Sequence, residues 1–246
     1  MISGAFAESP LRWLMPKSHG AAAWIVSTTF GGGLVDGDAI DVDVDVEARA
    51  ELVVLTQAST KVYPGASRQR LRASVAPGGL LALLPDPVAC FAGARYAQTT
   101  EIDLAPDASL LVVDGFTAGR PAHDVSWAFD LFASEIVVRR GGALFARDAT
   151  RLDAEDGDVA ARMGSCRAFC TALAVGPRAG DACRAMIARA GAPQRDATAR
   201  SASRIGDDAV LFRVAAPSME IAQLELRSAL GNLDETLGDD PLARKR

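Results

Sequence analysis

Carboxylates are the side chains of this chain with the most scope for chemistry, because its other reactive residues are few or badly spaced. The only histidines are His19 and His123, and no serine sits in the glycine-flanked elbow that a Ser-His-Asp hydrolase needs. Cys166 and Cys170 are four apart and could share a helix face, with Cys183 thirteen further on. Zinc sites use closer pairs and a fourth ligand, so buried free thiols are the default. Gly31-Gly-Gly33 is not followed by Gly-Lys-Ser/Thr and leads into a strand, so it reads as a tight turn and not a phosphate loop. The alternating Asp41, Asp43 and Asp45 are a solvated strand face or, less naturally, ligands for a hard cation. Two carboxylates at strand ends remain. Asp114 precedes Arg120 across the Gly115–Gly119 loop, and Asp38 closes Gly33-Leu-Val-Asp-Gly-Asp38. Beside glycine turns such groups either line an opening or cap their own turns, and both readings stand.

The elements that position them are written in period two. Ile40–Val46 alternates apolar and acidic residues, as a half-buried strand does. Ser126–Asp148 reads as a hairpin turning at Arg139-Arg-Gly-Gly142. The segments Val46–Ala58, Val75–Pro87 and Leu104–Phe116 align at a 29-residue period, with a weaker copy at Ala22–Thr29. Each runs from an apolar residue through a turn into a Leu/Val strand, so stacked units burying a common core are expected. An ordinary β-sandwich with evenly spaced turns is the alternative. In this register Thr56, Pro85 and Asp114 are equivalent, as are Gln57, Asp86 and Gly115, which places polar strand ends along one edge. Toward the C-terminus, Gly164–Val175 could be helix or strand and Ala209–Ala215 is a strand. Asp181–Ala190 and Met219–Leu230 are helices, the second capped by Ser218 and burying Ile221, Leu224, Leu226 and Leu230. The expected architecture is mainly β, an open β-helix-like stack of strands with about two α-helices in the C-terminal third. It forms one domain over residues 1–246, with a polar, frayed tail after Leu237.

Composition narrows the function. At 246 residues, folding hides roughly 70–75% of the unfolded surface. The net charge of −5, without a basic cluster before the final Arg244–Arg246, argues against nucleic acid as a partner. No signal-peptide pattern and no membrane-span-length apolar run is present, so a soluble cytoplasmic protein with reduced thiols is expected.

Six segments in order carry a resemblance. They are Ser9-Pro-Leu-Arg12, Thr28-Thr-Phe-Gly-Gly-Gly-Leu-Val-Asp-Gly-Asp38, Ala48-Arg-Ala50, Leu55-Thr-Gln-Ala-Ser-Thr-Lys-Val-Tyr63, Leu84-Pro-Asp-Pro-Val88 with Phe91-Ala-Gly-Ala-Arg-Tyr96, and Asp114-Gly-Phe-Thr-Ala-Gly-Arg120. Together they make the chain resemble the urease accessory protein UreD (UreH) family over some nine-tenths of its length. Phe30 and Asp36 depart from the family's glycine signature, where a serine and a glycine are usual. Family members also carry a strand segment ahead of the SPLR-like motif, whereas almost nothing precedes Ser9 here. The resemblance implies a urease maturation factor without catalytic residues or a tightly bound cofactor. Such a protein is a scaffold that binds apo-urease and accessory proteins of the UreF and UreG (GTPase) types, and passes nickel in transit through an internal tunnel. Candidates for the nickel path or partner contacts are Asp38, Thr56, Gln57, Thr60, Lys61, Asp86, Asp114 and Arg120. Two other readings compete: a small-molecule enzyme using Asp86 or Asp114 as general acid or base, and an interaction module with no metal role.

Overall fold

The computed structural model describes residues 2–17, 20–120, 125–193 and 197–243. A short strand, β1 (Leu11–Leu14), runs antiparallel to β2 (Ala23–Thr29). From β2 onward the chain winds as a coil, each turn laying one strand in each of two facing sheets. The first turn supplies β2 and β3 (Ala39–Val46). The second supplies β4 (Glu51–Thr56), the short β5 (Thr60–Val62) and β6 (Gly65–Val75). The third supplies β7 (Leu80–Leu84), the short β8 (Val88–Cys90) and β9 (Ala94–Leu104). The fourth supplies β10 (Ser109–Thr117), a small pair made by β11 (Gly119–Arg120) and β12 (Val125–Ser126), and then β13 (Leu131–Arg140).

The 29-residue period is the register of this coil. Ala23, Leu52, Leu81 and Leu110 lie side by side on parallel strands, and so do Asp41, Arg70 and Thr99 in the second sheet. The turns repeat with it. Ala50, Gly79 and Ala108 each donate their N–H to the carbonyl three residues back, at 3.0, 2.9 and 3.0 Å. One turn recurring at fixed spacing brings like strands together in parallel without crossover helices, so the stacked architecture holds over the alternative of an ordinary sandwich.

The stack closes at its C-terminal end. β13 turns back at Gly141-Gly142 into β14 (Ala143–Asp153), the edge of a five-stranded sheet ordered β14-β13-β9-β6-β3. The hairpin thus begins at Leu131, because Ser126 is engaged in the small β11–β12 pair. β15 (Ala168–Val175), β16 (Ala199–Ile205) and β17 (Ala209–Ala216) extend the other sheet, in the order β10-β15-β17-β16. Of Gly164–Val175, the part Ala168–Val175 is thus strand, and the short helix α1 (Val159–Met163) lies ahead of it. The two expected helices are α2 (Gly180–Gly191) and α3 (Met219–Leu230), followed by the short α4 (Leu233–Leu237). Two corrections concern this end. In α3, Leu224 is exposed and Glu225 is buried, because Arg189 and Arg200 both bind that carboxylate. The segment after Leu237 is not frayed as far as it is described: Asp240 pairs with Arg227 and Leu242 packs on the core.

Three apolar clusters follow from this layout. One lies between the helices and the outer face of the ten-stranded sheet, joining Leu84, Val113 and Phe212 to Met186 and Leu226. The other two lie between the sheets: an aliphatic one on the side of the repeated turns, and an aromatic one holding Tyr96, Phe116, Trp127 and Phe132.

Candidate functional site

A polar layer separates the two clusters between the sheets. Along β10, Val112 belongs to the aliphatic cluster and Phe116 to the aromatic one, and the residue between them with the same orientation is Asp114. The same alternation puts Gln69 on β6, Gln98 on β9, Ser134 on β13 and Thr171 on β15 at this level. Asp114 accepts hydrogen bonds from Gln98 Nε2 at 2.6 Å and Ser134 Oγ at 2.5 Å. Tyr96 extends the network, its hydroxyl lying 2.6 Å from Gln69 Oε1 and 3.0 Å from Gln98 Oε1. At the β14–β17 side the layer ends in an ion pair between Asp148 and Arg213.

Burial lifts the Asp114 carboxyl above the usual carboxylate range, and the charge of Asp148 adds to the rise. Hydrogen bonds from Ser134, Gln98 and the Gly115 N–H oppose it. Among the described residues its hydrogen-bond partners are neutral, since the nearest cation in its row, Arg213, serves Asp148. Asp114, Gln69 and Gln98 face the interior, yet each keeps part of its surface uncovered. Burial pushes the Cys90 and Cys170 thiols up to about 12, and Cys170 packs in the helix-side cluster, away from this layer. All four cysteines are free, and among the described residues no three His, Cys, Asp or Glu side chains gather as a metal cage.

The other candidates lie around one end of the coil but do not converge on Asp114. Thr56 Oγ1 donates to Asp86 Oδ2 at 2.9 Å and accepts from the Asp86 N–H at 2.6 Å, which ties the end of β4 to the bend after β7. Asp86 lines a groove with Gly115 and Cys170 on the helix-covered face of the large sheet. Asp114 faces the opposite way. A substrate between the sheets therefore could not meet both carboxylates. Thr56 and Asp86 do meet at one end, but Asp114 matches Pro85 and not Asp86 in the 29-residue register, so alternation turns it inward; beyond β7 the register shortens, Thr60 pairing with Val88 and Val88 with Phe116 at 28. Asp38 caps its own turn, its Oδ2 accepting from the Val35 N–H at 2.8 Å. Gln57 and Lys61 are exposed and use their backbones: the Gln57 N–H donates to Ser27, and the Lys61 carbonyl accepts from Leu34. Thr60 is half-buried in β5. Arg120 is placed in β11 by its backbone, but its side chain, like His19 and His123, lies outside the described residues.

A sequence model of the UreD urease accessory protein family matches residues 1–246. The chain belongs to the UreD family. A urease accessory protein UreD from Sorangium cellulosum is 48% identical over 248 residues, spanning 100% of this chain and 80% of the relative. One from Anaeromyxobacter sp. is 40% identical over 249 residues, with 99% and 84% covered. A urease accessory protein D from Oryza sativa subsp. indica is 34% identical over 186 residues, with 72% and 61% covered.

In this UreD-family chain the network around Asp114 escaped the reading of the motifs, because its partners Gln98 and Ser134, and Gln69 beyond them, lie in none of them. A signal was present. Gln69 and Gln98 are 29 residues apart, so extending the repeat to the second strand of each turn would have put both at one level. The acidic ladder on β3 resolves into pairing, with Asp41 to Arg68, Asp43 to Arg72 and Asp45 to Ser74.

Proposed function

We propose that this protein is a urease maturation factor that scaffolds the accessory complex on apo-urease and lets nickel pass between its two sheets along the Asp114 layer. The observation that carries the reading is a carboxylate set between the sheets among neutral hydrogen-bond partners, with part of its surface left uncovered. Burying an uncompensated carboxylate costs free energy, and a passing divalent cation offsets that cost. One carboxylate with neutral Gln and Ser oxygens offers hard, sparse ligation. It holds a nickel ion weakly enough to release it, which a His/Cys cage would not do. Family membership supports the urease side of the reading.

The partners we assign are apo-urease and accessory proteins of the UreF and UreG types, nucleotide hydrolysis belonging to the UreG partner. We assign the protein itself no catalytic residue and a cytoplasmic location. No helix among the described residues is long and apolar enough to cross a membrane. Capture of apo-urease on the immobilised chain, with a UreF-like partner present, tests the scaffold role, and absence of capture would remove it. In the same complex, Asp114→Ala should lower urease activation without loss of assembly. Asp38→Ala should have a smaller effect, since Asp38 serves its own turn. Full activation by Asp114→Ala would take that residue off the path.

A further inference from the structure

The Asp114 layer contains a row of hydrogen bonds that can run in either direction. Gln98 commits both hydrogens of its amide to this layer, one to Asp114 Oδ1 at 2.6 Å and one to Ser134 Oγ at 3.0 Å. Its carbonyl oxygen then faces the Tyr96 hydroxyl, 3.0 Å away. That hydroxyl has a single proton and lies closer, at 2.6 Å, to the carbonyl oxygen of Gln69. Given to Gln98, the proton completes a row in which every hydrogen points toward the carboxylate. Given to Gln69, it leaves the lone pairs of the Tyr96 oxygen free to accept. This second state suits a Gln98 turned over, with its N–H toward Tyr96 and its carbonyl toward Asp114. Two oxygens 2.6 Å apart repel beside a bare carboxylate, but a cation that both can ligate holds them together.

Charge at Asp114 therefore selects the direction of the row, and Tyr96 is placed to serve both. Its ring is fully buried and lies 6.2 Å from that of Phe132, so the hydroxyl stays in place while the amide turns. The terminal torsion of a glutamine side chain is broad and two-fold, which makes the turn easy. As found, the amide hydrogens cover Asp114 Oδ1 and Ser134 Oγ, and the Ser134 hydroxyl covers Asp114 Oδ2. Turning Gln98 over uncovers the first two oxygens and adds its own carbonyl to them. Resting on the nickel-path reading of this layer, we propose that Gln98 is a two-position ligand for the passing divalent cation. Its amide turns over when the ion reaches Asp114 and turns back when the ion leaves. Tyr96 is the positioning residue that receives the displaced N–H. The layer is thus satisfied when empty and offers hard oxygens when occupied, through one side-chain rotation.

Urease loading by the complete accessory complex, with nickel salt titrated, tests this through the nickel concentration that gives half-maximal loading. Gln98→Leu removes the carbonyl ligand and should raise that concentration about tenfold. Gln98→Glu keeps an oxygen at the same place without the amide hydrogens, and should lower it at least threefold. A merely structural Gln98 would move both variants the same way, since both lose the bonds to Asp114 and Ser134. Tyr96→Phe removes only the acceptor for the turned amide and should raise the concentration about threefold, the worth of one hydrogen bond. Shifts of the two Gln98 variants in one direction, or no shift with a folded Tyr96→Phe, overturn the proposal. The Gln98 pair decides it alone if Tyr96→Phe does not fold. Asp114→Asn, run alongside, separates the two claims. Unimpaired loading with Asp114→Asn would remove the nickel path and this inference with it. Impaired loading with Asp114→Asn, and none of the shifts at Tyr96 and Gln98, would remove this inference alone.

Discussion

The two faces of the ten-stranded sheet are built on different terms. Toward the helices, Leu84, Val113 and Phe212 meet Met186 and Leu226 in a continuous apolar contact. Toward the second sheet the apolar packing is interrupted across its width by Asp114, Gln98, Ser134 and the Asp148–Arg213 pair. Hydrophobic filler at that level would hold the sheets together at least as well, because buried polar groups at best break even against well-packed apolar ones. The helix-side face is thus explained by stability, and the inter-sheet face is not. That contrast is the reason to look for function between the sheets.

Substitutions on the helix side should cost most. Phe212→Ala empties a fully buried site and should destabilise the fold by about 3–5 kcal/mol in chemical denaturation. A loss below 1 kcal/mol would mean that this face is not the packed layer described. Glu225→Gln comes next, because it leaves the buried Arg200 short of its counter-charge. Breaking a buried pair costs about 3–5 kcal/mol, and about 2 kcal/mol is expected here because Arg189 stays partly hydrated. The Arg189 hydrogen bond holds the Glu225 carboxyl below its ordinary value, so the stability it contributes is present above that value and lost as pH falls through the lowered one. Denaturation of the variant should lack that acid-side loss.

Asp114→Asn should do the reverse. The folded-state value of Asp114 is raised, so folding takes up a proton in the window from the ordinary carboxylate value to the raised one. Stability from this group is full below that window and lost as pH rises through it. The asparagine variant should be no less stable than the parent at neutral pH, and should lack that slope. A marked destabilisation would make the layer structural and erase the contrast between the faces. Smallest of all, Asp43→Asn on the solvent face of the small sheet should leave the unfolding midpoint within error, as an exposed pair with Arg72 adds little.

Much of this arrangement was legible in the sequence. The 29-residue period foretold the parallel register, because identical turns force like strands together, and Ser218 with its following residues fixed α3 to the residue. What stayed hidden depends on contacts distant in sequence. Glu225 is inside only because Arg189 and Arg200 come from other elements, a pairing that helical periodicity cannot see. Asp86 matches Gly115 in the 29-residue register, so strand alternation already sets it on the face opposite Asp114, whereas the one-residue slip after Leu84 is a single irregular step that an average period does not show. Asp114 was singled out as a strand-end carboxylate, but its depth and its Gln98 and Ser134 partners required the second sheet to be in place.

The most direct test is the nickel content of urease recovered after loading through the complete accessory complex, with native chain against Asp114→Asn and equal complex verified by co-purification. The account predicts several-fold less nickel per urease active site with the variant. Equal nickel at equal complex would contradict it, and would leave the polar layer without a part in delivery.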